Sequence, residues 1–229
     1  MTTANADSRA DLLPGGESRW PPVLAVAAFM AVHVTVHLWL PGTTQIVRMP
    51  WLVPALEAVL IAALLTMDPR AGVEARRRRR GALAIVVMLV AAALYGTAVL
   101  IRDLIQGIGV ANEAGFLLAA AVVVWFGNNL AFGLLYWLLD GGGPLARASG
   151  GAATVDFAFV QQMSPELSPP GWRPVFLDYL HLGFTNATAF SPTDVMPLTL
   201  RAKYTMLVQS SAALALFALV VARAVNAFT

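Results

Sequence analysis

Apolar positions along this chain gather into long blocks separated by short polar breaks. The first block, Val23–Leu40, is preceded by Trp20 and closed by Pro41-Gly42. Trp51–Met67 follows, with Pro54 in the first turn, where a helix tolerates it. Gly81–Ile101 starts directly after the arginine run Arg76–Arg80 and stops at Arg102-Asp103. Gly115–Leu139 ends in Tyr136 and Trp137 with Asp140 next, the pattern of an aromatic belt at a membrane interface. Gly141-Gly142-Gly143-Pro144 breaks that helix, and Tyr204–Ala227 is the last apolar block. Crossing about 30 Å of hydrocarbon takes about 20 residues. The pattern therefore predicts an all-α integral membrane protein with five transmembrane helices.

Between the fourth and last blocks the pattern changes. Residues 140–171, rich in Gly, Ala, Ser and Pro, read as a linker or a loop on the membrane surface. Residues 172–190 are only partly apolar, and Pro174–Ala187 reads as a short helix that need not cross. The expected organisation is a disordered tail (1–20), a four-helix transmembrane domain (21–139), the Gly/Pro-rich loop (140–171) and a C-terminal module (172–229). That module holds the short helix, a polar turn and the final helix.

Composition supports a lipid environment. Of 229 residues, 58% are hydrophobic and only 12% charged, against about 25% charged in soluble domains. With no cysteine, disulfides and thiolate metal sites are excluded. The net charge of +2 does not point to nucleic acid, because the basic residues concentrate at Arg76–Arg80, where they read as a topology signal. Placing that run in the cytoplasm also puts the N-terminus and the 140–171 loop there, with Arg147, Arg173, Arg201 and Lys203. The first twenty residues lack the basic, apolar and small-residue order of a cleaved signal.

The stretch "FTNATAFSPTDVMPLT", residues 184–199, is a polar island ahead of a strongly apolar helix. Non-helical backbone at membrane depth survives only where protein buries it or water lines it. Short helix, polar turn, helix is also the order of the pore module in tetrameric cation channels. "DYLHLGFTNATAFSPTDVMPLTLRAKYTMLVQ" resembles the pore helix and filter of potassium channels. Asp194, Val195, Met196 and Pro197 match that module's D-x-x-P end, and Thr199 its following hydroxyl. The family's Gly-Tyr-Gly positions fall on Ser191, Pro192 and Thr193, so the glycines that permit stacked carbonyls are missing. Potassium selectivity is therefore not carried over.

A second resemblance covers nearly the whole chain. Asp178, Tyr179, Leu180, Phe184, Thr185, Thr193, Asp194 and Asn226 stand at positions shared with a family of uncharacterised bacterial five-helix integral membrane proteins, a domain of unknown function. That likeness implies a multi-pass protein of the bacterial plasma membrane with no assigned activity. The channel likeness implies an oligomeric pore, a tetramer by analogy, that passes monovalent cations. Its lining would be Thr185, Asn186, Thr188, Ser191, Thr193 and Asp194. In potassium channels this loop enters from outside, whereas arginine placement here puts it on the cytoplasmic face.

Other polar residues fall inside the apolar blocks. His33 and His37 are four apart and share a helix face, as a proton relay, a metal pair or interhelical hydrogen-bonding residues. Glu57 is either a functional intramembrane carboxylate or a residue just below the interface near Trp51. Asn128 and Asn129, mid-block, suit interhelical bonding or a pore lining. No nucleotide loop, zincin motif or nucleophile elbow is present. The expectation is no enzyme, no cofactor and no bound metal. The partners expected are the bilayer, inorganic cations and further copies of the chain. The alternative is a non-conducting bundle whose polar turn is a structural or partner-binding element.

Overall fold

The computed structural model describes residues 17–39, 51–66, 73–107, 114–148, 154–188 and 194–227, excepting the side chains of 37, 39, 73–76, 114–116, 148, 224, 226 and 227. Five helices carry the bulk of it: α1 (Trp20–Trp39), α2 (Leu52–Leu65), α3 (Val73–Gln106), α4 (Ala114–Leu139) and, at the C-terminus, α8 (Leu200–Ala227). Between α4 and α8 lie the short helices α5 (Pro144–Ala148) and α6 (Val160–Met163), then α7 (Phe176–Thr188). Among the described residues, three helical stretches are long and apolar enough to cross a membrane: Arg77–Gln106, Leu117–Arg147 and Leu200–Arg223. Trp20–Val36 and Leu52–Leu65 are shorter apolar helices. The arginine run is itself helical, because arginine is a good helix former and no breaker separates it from Gly81.

Helix α4 is the hub. From Asn128 to Leu138 every residue is buried, the signature of a helix surrounded on all sides. It packs against α1, α3, α7 and α8. Tyr136 and Trp137 are fully buried, so they form core and not the expected interface belt. Phe157 and Phe176 stack edge-on against them, pairings worth about 0.5–1.5 kcal/mol each.

The pairing of α4 with α7 is antiparallel. Trp125 meets Phe184, Gly133 meets Leu180, and Trp137 meets Phe176. Two glycines set the closeness. A Cβ at Gly133 would fall 3.1 Å from the Leu180 Cα, and one at Gly183 would fall 3.1 Å from the Asn129 carbonyl oxygen.

The fold is mostly helical, but it is not all-α. Residues Phe157–Phe159 (β1) and Val195–Pro197 (β2) pair antiparallel, with Phe157 opposite Pro197 and Phe159 opposite Val195. Phe157, Phe159 and Val195 point inward while Met196 is exposed, the two-residue alternation of a strand covering a core. The 140–171 segment is thus more than a linker: its aromatics close one end of the bundle. Nor is the tail free throughout, since Glu17 is held by α4 and α7. Residues 1–16 and the break expected at Pro41-Gly42 lie outside the described residues, whereas the stop expected at Arg102-Asp103 does not occur, since α3 continues to Gln106.

Candidate functional site

Helix α7 begins at Phe176, two residues after Pro174, and Asp178 Oδ2 accepts the Val175 N–H at 2.7 Å. An acidic residue in the first turn also suits the helix dipole. Phe176, Tyr179, Leu182, Gly183, Asn186 and Ala187 form its buried stripe, at helical spacing. With 13 residues it rises about 20 Å.

Its direction decides what the module can do. The Phe176 N–H donates to Glu17 Oε1 at 2.6 Å, and Trp137 Nε1 donates to the same oxygen at 3.0 Å. Burial pushes the Glu17 carboxyl above the usual range, although these two donors and Arg147 oppose it. This end of the bundle also carries β1 and β2, and α8 starts there. At the other end of α7, Ala187 and Thr188 line an apolar cavity of about 410 Å³ with Trp125, Leu216 and Val220. Leu216 is well along α8, so α7 and α8 run the same way. Yet Asp194 is back at the starting end, where its carbonyl accepts the Val160 N–H at 3.3 Å. The chain enters the bundle along α7 and has returned by Asp194.

Two polar assemblies hold this module. The inner one joins α4, α7 and α8. Gln209, fully buried, accepts from the Tyr136 hydroxyl at 2.7 Å and from Asn186 Nδ2 at 2.8 Å. Its own Nε2 donates to the Gly183 carbonyl at 3.0 Å and, at 3.5 Å, to Asn129 Oδ1. Asn186 Nδ2 donates also to the Met206 carbonyl, and Asn129 Nδ2 to that of Trp125. Asn128 is buried beside them, with Oδ1 lacking a partner among the described residues.

The outer assembly clamps the cap. Buried Asp140 accepts the N–H groups of Asp156 and Phe157 on Oδ1 and the Tyr179 hydroxyl, at 2.6 Å, on Oδ2. Buried Asp156 accepts the Thr199 hydroxyl at 2.5 Å and both Nε and Nη2 of Arg201 at 2.5 and 2.6 Å. Thr199 Oγ1 in turn accepts the Ala202 N–H, which caps α8. Burial alone would raise the Asp156 carboxyl, but Arg201 and Thr199 outweigh it and hold it below the usual range.

No family model, no curated protein and no solved structure matches this chain. Its site must be weighed on its own geometry.

The structure distributes the sequence candidates unevenly. Asn186 points into the inner assembly, with Asn129. Thr185 and Thr188 donate to helix carbonyls, at 3.0 Å to His181 and 2.8 Å to Phe184. Thr188 is exposed and Thr185 half-buried. Asp194 Oδ2 lies 3.4 Å from His181 Nε2 in a well-exposed pair. Ser191 and Thr193 lie outside the described residues. His33 Nδ1 and Glu57 Oε1 meet at 2.9 Å across α1 and α2, with Glu57 buried and its Oε2 without a partner among the described residues. The His37 side chain lies outside the description. Sequence reasoning missed Gln209, Asp140, Asp156 and Glu17. A glutamine inside an apolar helix was the available signal for the first; the carboxylates look like ordinary loop residues.

Proposed function

We propose that this chain is a five-span integral protein of the bacterial plasma membrane, with α7 re-entrant from the arginine-rich, cytoplasmic face. In this reading several copies enclose a cation path lined by the 185–194 segment, with Asp194 at its mouth. One observation carries the reading: α7 is about 20 Å long, too short for about 30 Å of hydrocarbon, and the chain is back at its starting end by Asp194. Backbone returning through membrane depth needs protein or water around it. A hydroxyl that gives its proton to a helix carbonyl keeps lone pairs for a partly hydrated cation, and Thr188 does this while exposed. Asp194 adds a negative charge where the segment ends.

The second reading, a non-conducting bundle with a structural plug, is favoured by Asn186. Its amide is spent on Gln209 and Met206, which makes it a brace and not a lining residue.

Liposomes carrying the purified protein separate the two. The wild type should pass monovalent cations, and Asp194→Asn should cut flux or valence preference while folding and assembly persist, since one charge per copy is lost in a low-dielectric setting. A wild type that passes nothing above empty liposomes, across pH and lipid composition, removes the pore and leaves the bundle.

A further inference from the structure

Three guanidinium groups, those of Arg79, Arg147 and Arg201, meet where the N-terminal ends of α3 and α8 reach the cap, and Arg80 is next to Arg79 along α3. Arg79 Nη2 donates to the Leu138 carbonyl at 2.9 Å, and Arg147 Nη1 donates to the adjacent Trp137 carbonyl at 2.8 Å. Arg147 Nη1 also reaches the Asp140 carbonyl at 2.7 Å. Arg201 grips Asp156, whose own N–H is bonded to Asp140. The charges acting on Arg79 are those of Arg201, Arg147 and Arg80.

The local carboxylates are largely committed elsewhere. Glu17, whose charge acts on Arg147, holds the Phe176 N–H and Trp137 Nε1. Both oxygens of Asp140 are taken by two backbone N–H groups and the Tyr179 hydroxyl. Asp156 serves Arg201 and Thr199. Arg79 and Arg147 therefore bond to neutral carbonyls, and Arg80 is exposed with no hydrogen bond to a described residue. Arg79 Nε and Arg147 Nη2 are buried without an acceptor among the described residues. Unmatched N–H groups on a cation are costly, and a charged acceptor beside them would offset that cost.

We infer that Arg79, Arg80, Arg147 and Arg201 form a binding site for a phosphate group, either the headgroup phosphate of an anionic lipid or a free phosphate. Arg80 and the exposed side of Arg201 make the first contact, and Arg79 and Arg147 supply charge from behind. The planar guanidinium fork fits phosphate oxygens two at a time. This site needs no conduction, so its test stands apart from the flux measurement.

The full chain in neutral detergent is titrated with phosphatidylglycerol, with phosphatidylcholine and with inorganic phosphate, and the thermal unfolding midpoint is followed. Phosphatidylglycerol alone raising the midpoint supports the site and names a lipid. Inorganic phosphate raising it as well, or by itself, supports the site and names the phosphate group. Arg80→Gln should weaken the apparent affinity about tenfold, equivalent to about 1.4 kcal/mol. Arg102→Gln removes the same charge from the opposite end of α3, about 33 Å away, and should leave affinity unchanged. Arg79→Gln should weaken it further; should that variant not fold, Arg80 against Arg102 still decides. No response to any of the three additives, a response to phosphatidylcholine equal to that of phosphatidylglycerol, or equal losses in Arg102→Gln and Arg80→Gln, would overturn the site.

Discussion

Replacing Gln209 by leucine tests the inner assembly. The side chains are similar in volume, so the change removes bonds and leaves little cavity. Tyr136 loses its acceptor at 2.7 Å, Asn186 keeps only the Met206 carbonyl, Gly183 loses a donor at 3.0 Å and Asn129 Oδ1 loses one at 3.5 Å. In water an orphaned buried group costs about 1–3 kcal/mol. In a bilayer the unfolded helices also find partners, and interhelical bonds average about 0.6 kcal/mol with a ceiling of about 1.7. Four lost bonds then give about 2 kcal/mol, with the fully buried Tyr136 hydroxyl adding up to about 2 more. The expected loss is about 2–4 kcal/mol. Unfolding by sodium dodecyl sulfate in mixed micelles measures it, together with Tyr136→Phe and the double variant. Tyr136→Phe removes the hydroxyl that Gln209→Leu strands, so the double variant should cost at least about 1 kcal/mol less than the sum of the two. A Gln209→Leu loss below about 0.5 kcal/mol, or strict additivity, would refute the claim that this network docks α7.

Other consequences can be checked in the same preparations. His33→Ala should destabilise by about 3 kcal/mol, because it strands the buried Glu57 carboxyl, and adding Glu57→Gln should restore part of that loss. Thermal unfolding midpoints of the single and double variants read this directly. Asp156 is held below its ordinary value in the folded state, so its contribution is full above about pH 3.9 and is lost as pH falls through its lower folded value. The stability gap between wild type and Asp156→Asn should therefore close on acidification below about pH 3.9. Glu17 has the opposite sign: its raised carboxyl makes the fold lose stability as pH climbs past about 4.3, and Glu17→Gln should remove that slope. For orientation, cysteines placed singly at Gly72 and Thr44 of this cysteine-free chain should label from opposite sides of intact cells, Gly72→Cys from within.

Apolar block length and Gly/Pro breaks located the helices from sequence alone, because an α-helix is closed by bonds between residues four apart and each block carries its own instructions. The same local reading found the half-length of α7 and the polar island after it. Which way side chains face is a different matter. Tyr136 and Trp137 carry an interface signature, yet both are buried because the cap strands and α7 happen to cover them. Gln209 looks no more important than Ser210 in the sequence. Packing separates them: Gln209 meets Tyr136 and Asn186, whereas Ser210 bonds back to its own helix at Met206. The β1–β2 pair joins segments about forty residues apart, with no periodicity in three-residue strands to announce it. Glu17 serves helix starts and ends more than a hundred residues away. These bonds exist only once the helices are docked, since a buried carboxylate or amide is stable only where a distant partner has been brought to it.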